Sequence, residues 1–309
     1  MESKKDIFML IDGSAIVHRA YHAMPPFTTS AGIPTGAVSG FFSMLLKLIQ
    51  QLKPSRIVVA FDRPKPNFRQ QLYVGYQAQR PKMESDLSDQ FKMIIDTLDA
   101  AKITQIGVDG YEADDIIGTL SEKANKEGIF TYIVTGDRDM LQLVDRDTRV
   151  LMPVKGISEV KVHDEESVRT NYGVEPKQII DLKALTGDPS DNYPGVPGIG
   201  PKTAATLIAA YGNVDNIYKH IDDVAVKNKA LAEKLIEGAE SAQLGKKLAT
   251  IMLDVPFVCN LDECMVAGID IDAFKKSLEE YEFKTLPKRV DEVLTDKAET
   301  KKQNQMKLL

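Results

Sequence analysis

The sequence predicts an α/β domain with a parallel central sheet, followed by a domain made of helices. Short apolar runs at residues 7–11, 56–61, 103–108 and 129–134 alternate with stretches of helical apolar spacing, the rhythm of a parallel sheet with right-handed crossovers. Beyond Asp164 the runs cease and only helical spacing remains. At 309 residues, with 43% hydrophobic and 27% charged content, the chain has room for two such cores.

The first run, Ile7-Phe-Met-Leu-Ile11, is continuously apolar, as a central strand covered on both faces requires. Asp12 stops it too soon for a signal peptide, and no later stretch is long and apolar enough to span a membrane. Residues 16–22 lead into a Pro/Thr/Gly-rich loop through Pro34, helical spacing is expected over 35–52 and ends before Pro54, and the strand at 56–61 ends in Asp62. Residues 63–88 then break the alternation. They hold Pro64, Pro66 and Pro81, the cations Arg63, Lys65, Arg69, Arg80 and Lys82, and the rings Phe68, Tyr73 and Tyr76. Such a mixture serves either as a solvated excursion or as a grip on single-stranded nucleic acid, cations tracking phosphates and rings stacking on bases. Its place between Asp62 and Glu112 favours the grip. Another helix follows over 86–101.

The run at 103–108 leads through an Asp109-Gly110 turn into Tyr111-Glu-Ala-Asp-Asp115 and a helix that stops at Gly128. Glu112 and Asp115, three residues apart, project from the same face of the first helical turn. A helix N-terminus favours one or two acids. Three of them, Glu112, Asp114 and Asp115, repel one another unless a cation lies between them. The run at 129–134 ends likewise, in Thr135-Gly-Asp-Arg-Asp139. The carboxyl ends of parallel strands share one sheet edge, so Asp12, Asp62, Glu112, Asp114, Asp115, Asp137 and Asp139 are expected to converge on one crevice. Oxygen ligands without nearby His or Cys point to Mg²⁺ or Mn²⁺ rather than zinc.

The rest of the chain reads as a short helix at 140–144, strands at 149–153 and 158–163, and helices at 164–172, 176–186, 202–211, 214–221, 226–238 and 242–253. Between the second and third of these lies Gly187-Asp-Pro-Ser-Asp-Asn-Tyr-Pro-Gly195-Val-Pro-Gly-Ile-Gly200-Pro-Lys-Thr203. It is not a Walker A loop, because Pro201 separates Gly200 from Lys202, and no strand precedes it as a dinucleotide fingerprint requires. Two readings remain. One is a tight Gly/Pro helix connection. The other is a helix-hairpin-helix whose core from Gly195 to Gly200 meets a nucleic-acid backbone without reading bases, Gly198 and Gly200 allowing close approach. Asp188 and Asp191 in the same loop either add metal ligands or cap turns.

A net charge of −6 argues at first against a nucleic-acid partner. Setting aside the nine proposed ligands turns it into +3, so global charge is a poor guide. The two cysteines, Cys259 and Cys264, have no zinc-site companions and fit a reducing, cytoplasmic setting.

The succession Ile11-Asp-Gly13, Phe61-Asp62, Gly110-Tyr-Glu-Ala-Asp-Asp115, Thr135-Gly-Asp-Arg-Asp139, Thr186-Gly-Asp-Pro-Ser-Asp-Asn192 and Gly195-Val-Pro-Gly-Ile-Gly-Pro-Lys-Thr203 resembles the 5′ nuclease (flap endonuclease) superfamily. The likeness is nearest to the 5′→3′ exonuclease domain that opens bacterial DNA polymerase I, and covers about residues 6 to 290. It implies a PIN-like (resolvase-like) nuclease domain at 1–172 with a helical arch at about 63–95, a helix-hairpin-helix domain at 173–290, and a polar tail or linker at 291–309. It implies a structure-selective phosphodiesterase that cuts near the junction of a 5′ flap and duplex DNA in primer removal and repair, with RNA primers among its substrates and a DNA polymerase as partner. A catalytically weak or inactive junction-binding protein is the alternative.

By this resemblance Asp12, Asp62, Glu112, Asp114, Asp115, Asp137, Asp139, Asp188 and Asp191 bind two or more metal ions. Asp115 is shared between a first set, Asp12, Asp62, Glu112 and Asp114, and a second set made of the last four. Arg80 is the arch arginine, with Arg69, Tyr76 and Gln77 beside the DNA. Lys183 and Lys202 contact DNA, and the hairpin with Gly195, Gly198 and Gly200 holds a K⁺ ion. One position departs from the family pattern Tyr-Lys-x-x-Arg: the chain reads Tyr76-Gln-Ala-Gln-Arg80, so Gln77 offers hydrogen bonds but no charge to the scissile phosphate. Reduced but real activity is expected.

Overall fold

The computed structural model describes residues 6–81, 83–156 and 159–295. Lys82, Ser158 and the lysine-rich tail from 296 onward lie outside the described residues. Six strands form one sheet: β1 (Ile7–Asp12), β2 (Arg56–Ala60), β3 (Gln105–Ile106), β4 (Phe130–Val134), β5 (Thr148–Lys155) and β6 (Glu159–His163), in the order β3-β2-β1-β4-β5-β6. All pairings are parallel except that of β5 with β6. β3 is shorter than the run at 103–108 suggests. It lies at the sheet edge, where Val59 N of β2 and Phe61 N just beyond it donate to the carbonyls of Thr104 and Ile106.

The register sets up the site. Asp12 pairs with Ala60, two residues before Asp62, and Ile11 pairs with Val134, so Thr135 stands beside Asp12. β1 is buried on both sides. Phe8 and Leu10 join one apolar cluster and Met9 and Ile11 the other, the two-residue period of a strand read literally.

On one face pack α1 (Gly13–Ala23), α2 (Gly36–Leu52) and, beyond a single-turn α3 (Phe68–Leu72), α4 (Ser85–Ala100). On the other lies α5 (Ala113–Lys126), whose buried Ile116, Ile117 and Leu120 continue without a break into the helical region. That region holds α6 (Glu165–Tyr172), α7 (Ile179–Thr186), α8 (Pro201–Tyr211), α9 (Val214–Lys219), α10 (Ile221–Lys227), α11 (Lys229–Glu237) and α12 (Ala239–Ala249). The helix expected at 226–238 is two helices, broken at Asn228, whose side chain accepts from Leu231 N and caps α11.

A strap after α12 then leads back to the sheet. α13 (Ile271–Glu280) and a helix over 286–295 bury Phe274, Leu278, Leu286, Val290, Val293 and Leu294 in the cluster of α2, with Phe42 and Phe274 ring to ring at 5.3 Å. The expected tail at 291–309 is therefore corrected at its start: residues 291–295 are helical and packed. No helix among the described residues is long and apolar enough to cross a membrane.

Candidate active site

The carboxyl ends of β1, β2 and β4 and the start of α5 surround a cleft of about 900 Å³. Asp12, Asp62, Glu112, Asp114, Asp137, Asp139 and Asp191 line it together. Several are fixed by hydrogen bonds from the chain around them. Asp12 caps α1 by accepting from Ala15 N (2.9 Å) and takes a second bond from the Thr135 hydroxyl (2.7 Å). Asp137 N donates to that hydroxyl (3.0 Å), and Asp139 N to Asp137 Oδ1 (2.8 Å). Asp62 Oδ1 accepts from Ala113 N at the head of α5 (2.9 Å). Asp188 and Asp191 come from the loop around a short antiparallel pair, β7 (Gly187–Asp188) and β8 (Tyr193–Pro194). One carboxylate oxygen from each of Asp139, Asp188 and Asp191 lies within 4.8 Å of the other two.

So much negative charge out of water shifts the acids upward. Burial, then Asp62, raises Asp12 to about 7. Burial raises Glu112 to about 7 in spite of Arg69. Burial, then Asp137 and Asp12, lifts Asp114 well above its ordinary range. Asp137 and Asp191 rise for the same first reason. Seven carboxylates outnumber Arg69 and Arg80 in the cleft, and the clustered donors are hard oxygens, which is the environment a divalent cation fits.

The structure departs from the sequence reading at several residues. Asp115 does not line the cleft and is fully buried. Its two oxygens accept from Arg69 Nη1 and Nη2 (both 2.8 Å), Glu112 N (3.1 Å) and Met252 N (2.9 Å), which leaves no lone pair for a metal. Arg69, expected beside DNA, is 2% exposed. It also bonds Glu112 Oε2 (2.8 Å) and the carbonyls of Leu248 and Thr250. Nothing in the sequence marks those carbonyls as its partners; the only signal is a cation in a short aromatic segment.

Tyr76 is likewise buried, stacked on Tyr193, with its hydroxyl 3.2 Å from Glu112 Oε2 and 3.4 Å from Asp191 Oδ2. Gln77, in the left-handed region at φ 56°, donates to Glu112 Oε1 (3.1 Å) and Asp191 Oδ1 (3.0 Å). Arg80, half exposed, bonds Asp191 Oδ1 at 2.8 Å. Residues 76–80, within the segment expected to form an arch, thus face the acids. Lys183 does not face outward either: its ammonium is paired with Asp139 and Asp188, and although burial opposes it, this pairing holds Asp188 below the ordinary range.

In the hairpin, Gly198 (φ 76°) and Gly200 are exposed and Lys202 projects from the first turn of α8. Gly195 is different. A Cβ there would come within 2.2 Å of Gly187 N, so its role is close backbone packing rather than contact with a ligand.

Residues 7–173 match the family described as 5′-3′ exonuclease, N-terminal resolvase-like domain, and residues 174–272 match the 5′-3′ exonuclease, C-terminal SAM fold. DNA polymerase I of Bacillus caldotenax is 39% identical over 287 residues, which is 93% of this chain and 32% of that protein. DNA polymerase I of Bacillus subtilis is 39% identical over 296 residues, 94% of this chain and 33% of that one. The chain thus spans about a third of the length of these relatives. Among solved structures, T5 5′-exonuclease with bound divalent metal ions (zinc) superposes with a TM-score of 0.65 at 21% identity, covering 94% of this chain and 98% of that one. The catalytic core of Rad2 in complex with DNA substrate gives 0.60 at 21%, covering 94% and 92%.

Proposed function

The chain belongs to the 5′-3′ exonuclease family, and from that premise we propose that it is a 5′→3′ exonuclease and 5′ flap endonuclease, cutting DNA near single-strand/duplex junctions with Mg²⁺ or Mn²⁺. The single observation that carries the reading is the convergence of seven carboxylates, from four elements and one loop, on one cleft. Two divalent ions, when bound, supply Lewis acidity and an ionised water for phosphodiester hydrolysis. Asp12, Asp62, Glu112 and Asp114 would hold the first, and Asp137, Asp139, Asp188 and Asp191 the second. Asp115 would act indirectly, fixing Glu112 through their common partner Arg69.

Gln77 and Arg80 reach the acids from the rim and would meet the phosphate that enters between them. The exposed Gly198, Gly200 and Lys202 would receive the duplex backbone, with a K⁺ ion at the hairpin. RNA primers fall within the same proposed substrate class, and a DNA polymerase is the proposed partner.

The test is a 5′-labelled flap oligonucleotide incubated with Mg²⁺ and, separately, with EDTA. Release of a short labelled product only with metal is expected. Binding of the junction without cleavage in either case would leave a junction-binding protein instead.

A further inference from the structure

The chain's only two cysteines take no part in the cleft. They lie on the strap that leaves α12 and returns to the sheet, Cys264 buried and Cys259 half-buried. Cys259 Sγ and Cys264 Sγ are 3.7 Å apart. A disulfide needs about 2.05 Å, so closing the bridge takes a shift of under about 2 Å between the sulfurs.

The strap is held from two directions. Lys123 Nζ of α5 donates to the Cys259 carbonyl (2.6 Å). At the other end Arg56 Nε donates to the Leu261 carbonyl (3.1 Å), and Val266 N to Ser55 O (2.8 Å), beside β2. Between the cysteines the chain is already turned back on itself, Glu263 N donating to Asn260 O (3.0 Å). The sulfurs are therefore brought together by the fold around them.

We propose that Cys259 and Cys264 are a modification site, a dithiol that closes into a reversible intrachain disulfide when exposed to hydrogen peroxide. Cys264 is the sulfur that reacts first: its hydrogen bond with Cys259 lowers the Cys264 thiol and raises that of Cys259, which favours the thiolate on Cys264. The Cys264 thiolate attacks one peroxide oxygen, the O–O bond breaks, and the departing hydroxide takes a proton to become water. The resulting sulfenic acid is attacked by Cys259 Sγ. The S–S bond forms as the S–O bond breaks, and the hydroxide leaves with the Cys259 proton as a second water. Two thiols and one peroxide give one disulfide and two waters, and a dithiol reductant reverses the exchange.

The experiment treats the full chain with hydrogen peroxide at neutral pH, alkylates it, and maps its peptides. A monomer with neither thiol alkylatable and a 259–264 cross-link that dithiothreitol removes is expected. Hydrogen exchange over the strap should slow in the oxidised form, a change that needs no variant. In Cys259→Ser, dimedone should label Cys264. Two thiols that stay alkylatable, a disulfide-linked dimer, or dimedone labelling of Cys264→Ser with none of Cys259→Ser would each overturn the proposal.

Discussion

The Arg69 guanidinium holds the Asp115 carboxylate through two parallel bonds of 2.8 Å, and the pair is buried, Arg69 in the wall of the cleft and Asp115 behind it. An acid that the sequence groups with the ligands therefore belongs to the support of the site. Removing one partner of a buried pair strands the other charge, at a cost of about 3–5 kcal/mol. Arg69→Met should lower the thermal midpoint by roughly 10 °C, and Asp115→Asn should lower it by several degrees. In the cold, Asp115→Asn should still cleave, whereas Asp114→Asn should lose at least about a hundredfold in single-turnover rate with DNA binding intact. Equal losses of cleavage at unchanged midpoints would contradict the assignment.

Gln77 lies between Glu112 and Asp191 with its amide on both. A lysine there would add a charge where phosphate negative charge develops. Gln77→Lys should raise single-turnover cleavage of a flap by about tenfold. An unchanged or slower rate would show that Arg80 already supplies what is needed.

Asp12 and Glu112 titrate near 7 in the folded chain, because burial disfavours their charged forms. Unfolded, they release their protons near pH 4. Their contribution to stability is thus whole below about pH 4 and lost as pH rises through about 7. His18 and His163, kept neutral by burial, work the other way up to about pH 6.5. The metal-free protein should therefore lose thermal stability as pH rises towards about 7, least offset by the histidines above about pH 6.5 and with little further loss beyond 7, and millimolar Mg²⁺ should flatten or reverse the slope. A midpoint that climbs over this window without metal would be evidence against the buried, protonated acids.

Lys202 stands exposed at the head of α8. If it meets a phosphate, Lys202→Ala should weaken duplex binding alike for all sequences and reduce the logarithmic salt slope by about 1. A slope equal to that of the parent would place the contact elsewhere.

What the sequence makes legible is whatever repeats at short range. The apolar run of β1 and the acids just past each strand follow from strand period and sheet polarity, and the hairpin glycines from backbone freedom. What it hides depends on chain returning from far away. Arg69 meets Leu248 and Thr250 across about 180 positions, and Asp115 meets Met252. Lys183 is hidden for another reason: spacing alone does not tell a lysine aimed at solvent from one turned into its neighbours' carboxylates. The polarity of residues 291–309 likewise conceals Val293 and Leu294, which find their cover on α2.

The homecoming of the last helices to α2 has a mechanical consequence. The helical region is clamped at both ends to the same body, like a caliper whose jaws are the hairpin at Gly198 and Gly200 and the rim at Asp62 and Asp114. On the proposed function, a duplex seated against one jaw would meet the other at a spacing the protein dictates, and the place of incision would become a measurement along the strand.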